Sequence, residues 1–253
     1  KTAINWAVFT YMTEDLRIND YRPYSYDFDD YFGEKDFTKM FVTKLMNEKS
    51  GNCHSMPYLY KILCDELGAD ANLAITPNHV YIKHINEIGR WANVELTNAT
   101  FPKDKWIVKD VGLSKRTVEK KLYMNPLTGI ESVAMTMFDL SNAYEVQFGV
   151  DSFYLSMIDT ALVYFPNCIP LLMNKCNYYI EQVLLEQKKE EPNLKFLKEV
   201  TEKQVFIDKH IAELGHEEMP IKIQEKLARF MEKEREKEEK KHKKQEKKKR
   251  KQT

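Results

Sequence analysis

Apolar residues recur with helical spacing in the first third of the chain. Residues 36–47 carry apolar side chains near one face, and the Ser50-Gly51-Asn52 segment ends the helix that this pattern predicts. The next helix has the clearest pattern in the chain, and Gly68 supplies its C-terminal stop. Its apolar face follows the i, i+3, i+4, i+7, i+11 spacing and consists of Met56, Leu59, Tyr60, Leu63 and Leu67.

The pattern changes to that of strands after this helix. Three short segments are rich in β-forming residues and are predicted as strands, namely residues 71–76, 79–85 and 90–96. Residues 86–89 supply a turn between the last two. A helix followed by an antiparallel meander predicts an α+β arrangement for this part of the chain.

Helical signals return after about residue 130, and no further strand is predicted. Glycine, proline and polar residues separate the predicted helices, which are 135–148, 153–164, 169–187, 194–214 and a last one after Pro220. Helix pairs punctuated in this way indicate an α-hairpin region. We therefore divide the chain into an α+β domain at 1–130, an all-α region at 131–220 and a charged tail at 221–253.

Charge is distributed unevenly along the chain. The 253 residues contain 39 Lys and Arg against 39 Asp and Glu. Residues 221–253 hold 15 basic and 7 acidic residues, so the rest of the chain holds 24 basic and 32 acidic ones. From Glu232 onward there is no apolar stripe, and we expect a solvated, at most fraying helix. Attraction of this tail to nucleic acid or an anionic membrane is the alternative, but specific nucleic-acid recognition is not expected without interleaved aromatic residues.

Composition excludes several classes of protein. Hydrophobic residues make up 43% of the chain, which excludes a wholly disordered protein. No run of about 18 apolar residues occurs, so a soluble protein without a transmembrane segment is expected. The chain begins at Lys1 without Met and runs into an apolar stretch, which resembles a processed or trimmed start. The compartment stays open, and export with a removed signal peptide is one alternative.

Cys53 is the strongest candidate for chemistry. It lies between a glycine-containing break and the start of the clearest helix, where backbone N–H groups and the helix dipole favour a thiolate. A nucleophilic thiolate needs a base and a group that orients the base. His79 opens one strand and Glu95 lies in the next. Pairing of the two strands around the 86–89 turn puts these residues directly opposite each other or about one residue out of register.

The remaining cysteines and a metal site are weaker candidates. Cys64, Cys168 and Cys176 fall in predicted helices and are expected to be inert core thiols. Four cysteines at irregular spacing are too few for a disulfide scaffold. A metal site would draw on Cys53, His54, His79 and His84. These lack paired spacing such as Cys-x-x-Cys, so no metal is expected.

These segments together resemble transglutaminase-like (papain-like cysteine) proteins over roughly residues 25–110. Residues 50–53, followed by the apolar helix, resemble the Gly-x-Cys segment of that family, and residues 77–82 and 91–97 resemble its His strand and the strand of the third residue. The resemblance implies a helix carrying the cysteine, packed on a small antiparallel sheet. It departs from the family where Glu95 stands for the usual Asp and where His54 follows the cysteine in place of an aromatic residue.

The resemblance also implies a function. Cys53 would be the nucleophile, His79 the base and Glu95 the residue that orients it, for acyl transfer or hydrolysis at a peptide or protein amide without a metal or organic cofactor. The family's oxyanion hole uses the N–H of the nucleophile and a second donor. Candidates for that donor or for an orienting role are Asn47, Asn52, Asn78, Asn93 and Tyr26. The alternative function is a non-catalytic scaffold of the same fold.

The helical region has a resemblance of its own, to tetratricopeptide repeats. Residues 140–144, Gly149, Ala161 and the Phe165-Pro166 pair resemble one unit. Residues 212–215 and Pro220 resemble the end of a second. Such a repeat would bind a peptide or protein on its concave face, whereas the alternative is a plain helical bundle packed on the first domain.

Overall fold

The computed structural model describes residues 2–249. The fold is α+β, which confirms that prediction. The first half contains α1 (Thr2–Thr13), β1 (Ser25–Tyr26), α2 (Val42–Glu48), β2 (Ser50–Gly51), α3 (Ser55–Glu66), β3 (Asn72–Thr76), β4 (His79–Ile85), β5 (Trp91–Val94), α4 (Asp104–Val111) and α5 (Lys115–Glu119). Lys1 and residues 250–253, at the ends of the predicted first domain and tail, lie outside the described residues.

Strands β3, β4 and β5 form an antiparallel meander in that order. Helix α3 packs against β3 and β4, because its apolar face and the buried side chains of the sheet belong to one core. The third strand is shorter than predicted, since Glu95 leaves the ladder and pairs with Thr100 in an isolated bridge. The sheet is therefore small, and its first two strands end beside α3.

A two-stranded parallel pairing that the sequence does not predict joins the N-terminal region to the segment before Cys53. Ser25 pairs with Ser50 and Tyr26 with Gly51. The predicted helix at 36–47 is also interrupted: a 3₁₀ turn at Phe37–Met40 precedes α2, because the backbone of Phe41 is extended, with φ −98° and ψ 140°. The pairing of β1 with β2 brings Tyr26 next to the chain segment that carries Cys53.

The second half is helical, as predicted. It contains α6 (Gly129–Phe148), α7 (Ser152–Tyr164), α8 (Ile169–Gln187), α9 (Leu194–Leu214) and α10 (Ile221–Lys249). From α6 to α9, each helix packs on the next one along the chain. Helix α6 begins six residues before its predicted start, because Thr128 and Glu131 form a reciprocal capping box. Within residues 2–249, no helix has both the length and the apolar composition that crossing a bilayer requires.

The hydrophobic core continues across residue 130, where the sequence suggested a domain boundary. Leu45 and Ile82 from the first half belong to the same buried cluster as Ile158 and Leu171 from the second. The connecting segment also pairs with the sheet, since the Leu127 N–H donates to the Leu73 carbonyl at 2.7 Å. The helical region therefore packs directly on the sheet and α3, and can contribute side chains to a site there.

The start of the charged tail is part of this core. Met231 of α10 is 7% exposed, and Leu227 and Phe230 pack half-buried beside it. Beyond these residues the described side chains of α10 are mostly exposed, as the sequence predicts from Glu232 onward. The solvated part of α10 is thus shorter than the tail defined from the sequence.

Gly51→Ala should destabilise the protein, because an added Cβ would collide with Ser55 Oγ and lie 2.8 Å from Leu45 Cδ1. We expect a loss of about 1–3 kcal/mol in the free energy of unfolding, measured by urea denaturation. Gly129→Ala is the matched control, since a Cβ there meets nothing within 4 Å and alanine favours a helix. Equal unfolding free energies for the two variants would contradict this reading of the turn.

Candidate functional site

A tight turn between β2 and α3 holds Cys53. Asn52 Oδ1 accepts hydrogen bonds from the N–H groups of His54 at 3.0 Å and Ser55 at 3.2 Å. In return, Ser55 Oγ accepts from the Asn52 N–H at 3.1 Å. The backbone N–H of Cys53 donates to no acceptor among residues 2–249. The turn is thus fixed by its neighbours, and the N–H of the cysteine stays available to a ligand.

Cys53, His79 and Glu95 are brought together as a series of neighbouring side chains. His79 Nε2 lies 2.6 Å from Glu95 Oε2, and the His79 side chain lies next to the Cys53 thiol. Because Nε2 is bound to the carboxylate, Nδ1 is the ring nitrogen that faces the sulfur. The ring of Tyr81 is stacked parallel to that of His79 at 6.3 Å between centroids.

The strand register explains how Glu95 reaches His79. Ile82 pairs with Val94, so continuing the ladder by one residue puts Glu95 opposite Tyr81. Side chains two residues apart on a strand share a face, and Tyr81 and His79 are therefore neighbours on the face that Glu95 joins. Glu95 therefore reaches His79 diagonally across the two strands, in a register close to the one that pairing around the 86–89 turn predicts.

The electrostatics of this series favour an ion pair. Burial alone would raise the pKa of the Cys53 thiol, but the hydrogen bond to His79 and the positive charge of His54 lower it below its usual value. Burial would also lower the pKa of His79, yet the charge of Glu95 and the bonds to both partners raise it well above its usual range. The opposite shifts of the thiol and the imidazole favour transfer of the thiol proton to His79, with Glu95 as the counter-charge of the imidazolium.

Tyr26 and Asn78 also lie at the site. The Tyr26 hydroxyl lies next to the Cys53 sulfur, and burial together with the nearby thiolate raises the pKa of this phenol well above its usual value. It therefore stays protonated and donates to the thiolate. Asn78 has a left-handed backbone, with φ +57°, in the turn between β3 and β4, and its exposed side chain borders the space around Cys53 and His79.

The other three asparagine candidates have their side chains elsewhere. Asn47 is exposed on α2, away from Cys53. Asn52 is fully buried, and its Nδ2 donates to Met40 Sδ at 2.9 Å. Asn93 donates from Nδ2 to the Pro102 carbonyl and to Asp104 Oδ1, both at 2.8 Å, and it lines neither of the spaces around Cys53. The structure thus gives Asn52 a role in shaping the turn and leaves Asn47 and Asn93 outside the site.

A second histidine–carboxylate pair lies beside Cys53 and is not predicted from the sequence. His54 Nδ1 is 2.9 and 3.0 Å from the two carboxylate oxygens of Asp139, a residue of α6. The Tyr58 hydroxyl donates to the same carboxylate at 2.6 Å. Burial would lower the pKa of His54, but the charge of Asp139 outweighs it and raises the pKa to about 9. The sequence does contain one signal for this role of Asp139: it is an acidic residue one helical turn after Met135, on an otherwise apolar face of the predicted helix.

Two cavities meet at Cys53 and His79, and together they form a cleft. The first, which we call the amide cavity, has a volume of about 300 Å³ and is lined by Asn142, Asn174 and Asn177 from the helical region. The second, the tail cavity, has a volume of about 260 Å³ and is lined by α4, α10 and Glu95. Tyr31 and Phe32 border both. Within residues 2–249, no group of three or more His, Cys, Asp or Glu side chains is arranged to hold a metal ion.

Asp139→Asn should make Cys53 less acidic. Without the carboxylate, buried His54 loses the charge that keeps it protonated, and the thiolate loses a neighbouring cation. We expect the midpoint of iodoacetamide alkylation against pH to rise by about one unit. Asp159→Asn is the control, because it removes the same charge from a pair with Lys175 that lies outside the cleft. An unchanged midpoint in Asp139→Asn would show that His54 does not influence the thiol.

Comparison with known proteins adds no relative to this description. No protein-family model, no curated protein and no solved structure matches the chain.

Proposed function

We propose that the protein is a transglutaminase-like cysteine enzyme that transfers or hydrolyses the acyl group of a peptide or protein amide. The observation that carries the proposal is the series Cys53–His79–Glu95, closed by the 2.6 Å contact between His79 and Glu95. A thiolate and an imidazolium in contact, at the bottom of a cleft, are the groups that acyl transfer requires. The cysteine helix packed on a small antiparallel sheet supports the same family.

The reaction would proceed in two halves. The Cys53 thiolate attacks the amide carbonyl, and the carbonyl oxygen gains negative charge that the free Cys53 N–H stabilises. As the C–N bond breaks, His79 gives its proton to the leaving amine, and a thioester remains on the sulfur. Water or an amine then attacks the thioester carbonyl, and His79 takes a proton from this attacking group. The C–S bond breaks, which releases the acyl group and restores the thiolate.

The neighbours of the series would have supporting roles. Glu95 holds the His79 ring by Nε2, so that Nδ1 faces the sulfur, and stabilises the imidazolium. The Tyr26 hydroxyl stabilises the thiolate between turnovers. His54, kept protonated by Asp139, adds positive charge near the sulfur. Asn78 is the one asparagine candidate near enough to contact a substrate in the cleft.

A second candidate function is a scaffold that binds a protein or peptide through tetratricopeptide-like helix pairs. A groove of about 570 Å³ lies between α8 and α9, lined by Leu172, Tyr179 and Phe206. Phe206 is 73% exposed, and an aromatic side chain open to solvent in a groove favours a partner there. In this reading the helical region is the working surface and Cys53 is not used.

Selective alkylation of Cys53 tests the enzyme proposal. Burial raises the pKa of Cys64, Cys168 and Cys176 to about 12, whereas the pKa of Cys53 is lowered. At pH 6.5 in the folded protein, we expect iodoacetamide to modify Cys53 at least about a hundredfold faster than the others, measured by peptide mass spectrometry. His79→Ala should remove most of this difference, because the thiolate loses its hydrogen-bonded cation.

Turnover separates the enzyme from the scaffold. The full chain is incubated with a peptide library, with and without a primary amine, and products and thioester adducts are detected by mass spectrometry. We expect products that are absent with Cys53→Ala and reduced about a hundredfold or more with Glu95→Ala. Equal, slow alkylation of all four cysteines would refute the enzyme proposal. If Cys53 of the unmodified protein is alkylated rapidly but the Cys53→Ala variant forms the same products, catalysis by Cys53 is refuted. The scaffold function then remains.

A further inference from the structure

The first turns of α10 form one wall of the tail cavity. Leu227, Phe230 and Met231 line it from the helix. Ile107 and Val111 of α4 line the same cavity. Because Met231 is 7% exposed and belongs to the hydrophobic core, this wall is a fixed part of the fold.

An ion pair from α4 and the glycine that ends this helix hold α10 close to it. Lys226 Nζ lies 3.0 Å from Asp110 Oδ1, which pairs the two helices at the rim of the cavity. Gly112 ends α4 with φ +70°, and a Cβ at this position would lie 2.9 Å from Ile223 Cγ1 and 3.1 Å from Pro220 Cδ. Glycine therefore permits both the turn and the close approach of α10.

The tail cavity, like the amide cavity, is mainly apolar. Its charged residues are already paired, Asp110 with Lys226 and Glu95 with His79. Apart from Asn78, Thr97, Asn98 and Thr100, most of the rest of its lining is apolar or aromatic, as in Ile107 and Phe230. A group that enters this space thus meets mainly apolar surface, a few uncharged polar side chains and no unpaired charge, within contact of Cys53.

We propose that the tail cavity is an apolar subsite, which takes an aromatic or branched aliphatic group next to the amide that Cys53 attacks. Helix α10 supplies its outer wall, so Leu227 and Phe230 determine specificity. The inference rests on the proposed function of Cys53 and names its class of substrate. An apolar side chain gains by leaving water for this surface, whereas a charged one would lose its hydration without a partner.

Two alkylating reagents with the same reacting group test the subsite. N-methyl-iodoacetamide and N-benzyl-iodoacetamide each react with Cys53 of the full chain, and both rates are divided by those with glutathione to remove intrinsic reactivity. We expect the benzyl reagent to be favoured by about tenfold or more. Phe230→Ala and Leu227→Ala should each reduce this ratio by about fivefold or more, because the wall loses apolar surface.

Three further variants control for the helix itself. Ile221→Ala truncates an apolar residue of the same helix that is 73% exposed and lies outside the cavity, so the ratio should stay unchanged. Deletion of residues 232–253 leaves the wall intact and should also leave the ratio unchanged. Gly112→Ala touches no lining residue of the cavity but displaces α10, so it should lower the ratio as Phe230→Ala does.

A measurement without the thiol keeps the subsite independent of the enzyme proposal. In the Cys53→Ala protein, N-benzylacetamide should shift NMR signals of Phe230 and Ile107, and N-methylacetamide at the same concentration should not. A ratio near one, or a ratio unchanged in Phe230→Ala and Leu227→Ala, would overturn the subsite while Cys53 remains reactive. Cys53 unreactive to both reagents would instead refute the proposed function, and absent NMR shifts would then refute the subsite as well.

Discussion

Burial of ionised groups is the constraint on which this site depends. A thiolate, an imidazolium or a carboxylate taken singly out of water would change its protonation state, since desolvation disfavours the charged form. Here each charge has an opposite charge beside it: His79 lies next to the Cys53 sulfur and 2.6 Å from Glu95, and His54 lies 2.9 Å from Asp139. The groups are therefore stable as ions only in combination. Removing any one member should change the protonation of its neighbours, which is why the site has to be treated as a unit.

Segments far apart in the sequence supply the members of this unit. The cysteine turn and the His79 strand lie close together along the chain, but Tyr26 arrives through a two-residue parallel pairing and Asp139 from a helix of the second half. The cleft also needs α10 for its outer wall. The α+β part thus supplies the reacting groups, and the all-α part supplies a counter-charge and much of the lining. Separating the two at residue 130 would expose buried ions as well as apolar surface.

Much of the fold could be predicted because helices and strands have periodic patterns, and the register around a short turn puts Glu95 within reach of His79. The pairing of β1 with β2 could not be predicted, since two residues show no period and parallel partners can lie anywhere in the chain. The contact of Asp139 with His54 could not be predicted either, because packing of the whole chain decides which helix lies beside a distant turn. The wall of the cleft has a visible signal, because Leu227, Phe230 and Met231 follow the i, i+3, i+4 spacing of one helix face before the charged run begins.

The length of α10 has a mechanical consequence. Its 29 residues form one uninterrupted helix, about 44 Å long, whose first turns are fixed to α4 while the charged portion projects beyond the core. A continuous helix transmits displacement along its axis far better than a loop does. Leu227, Phe230 and Met231 lie between the Lys226–Asp110 pair and the charged end, so a force applied to that end would move the wall of the tail cavity next to Cys53.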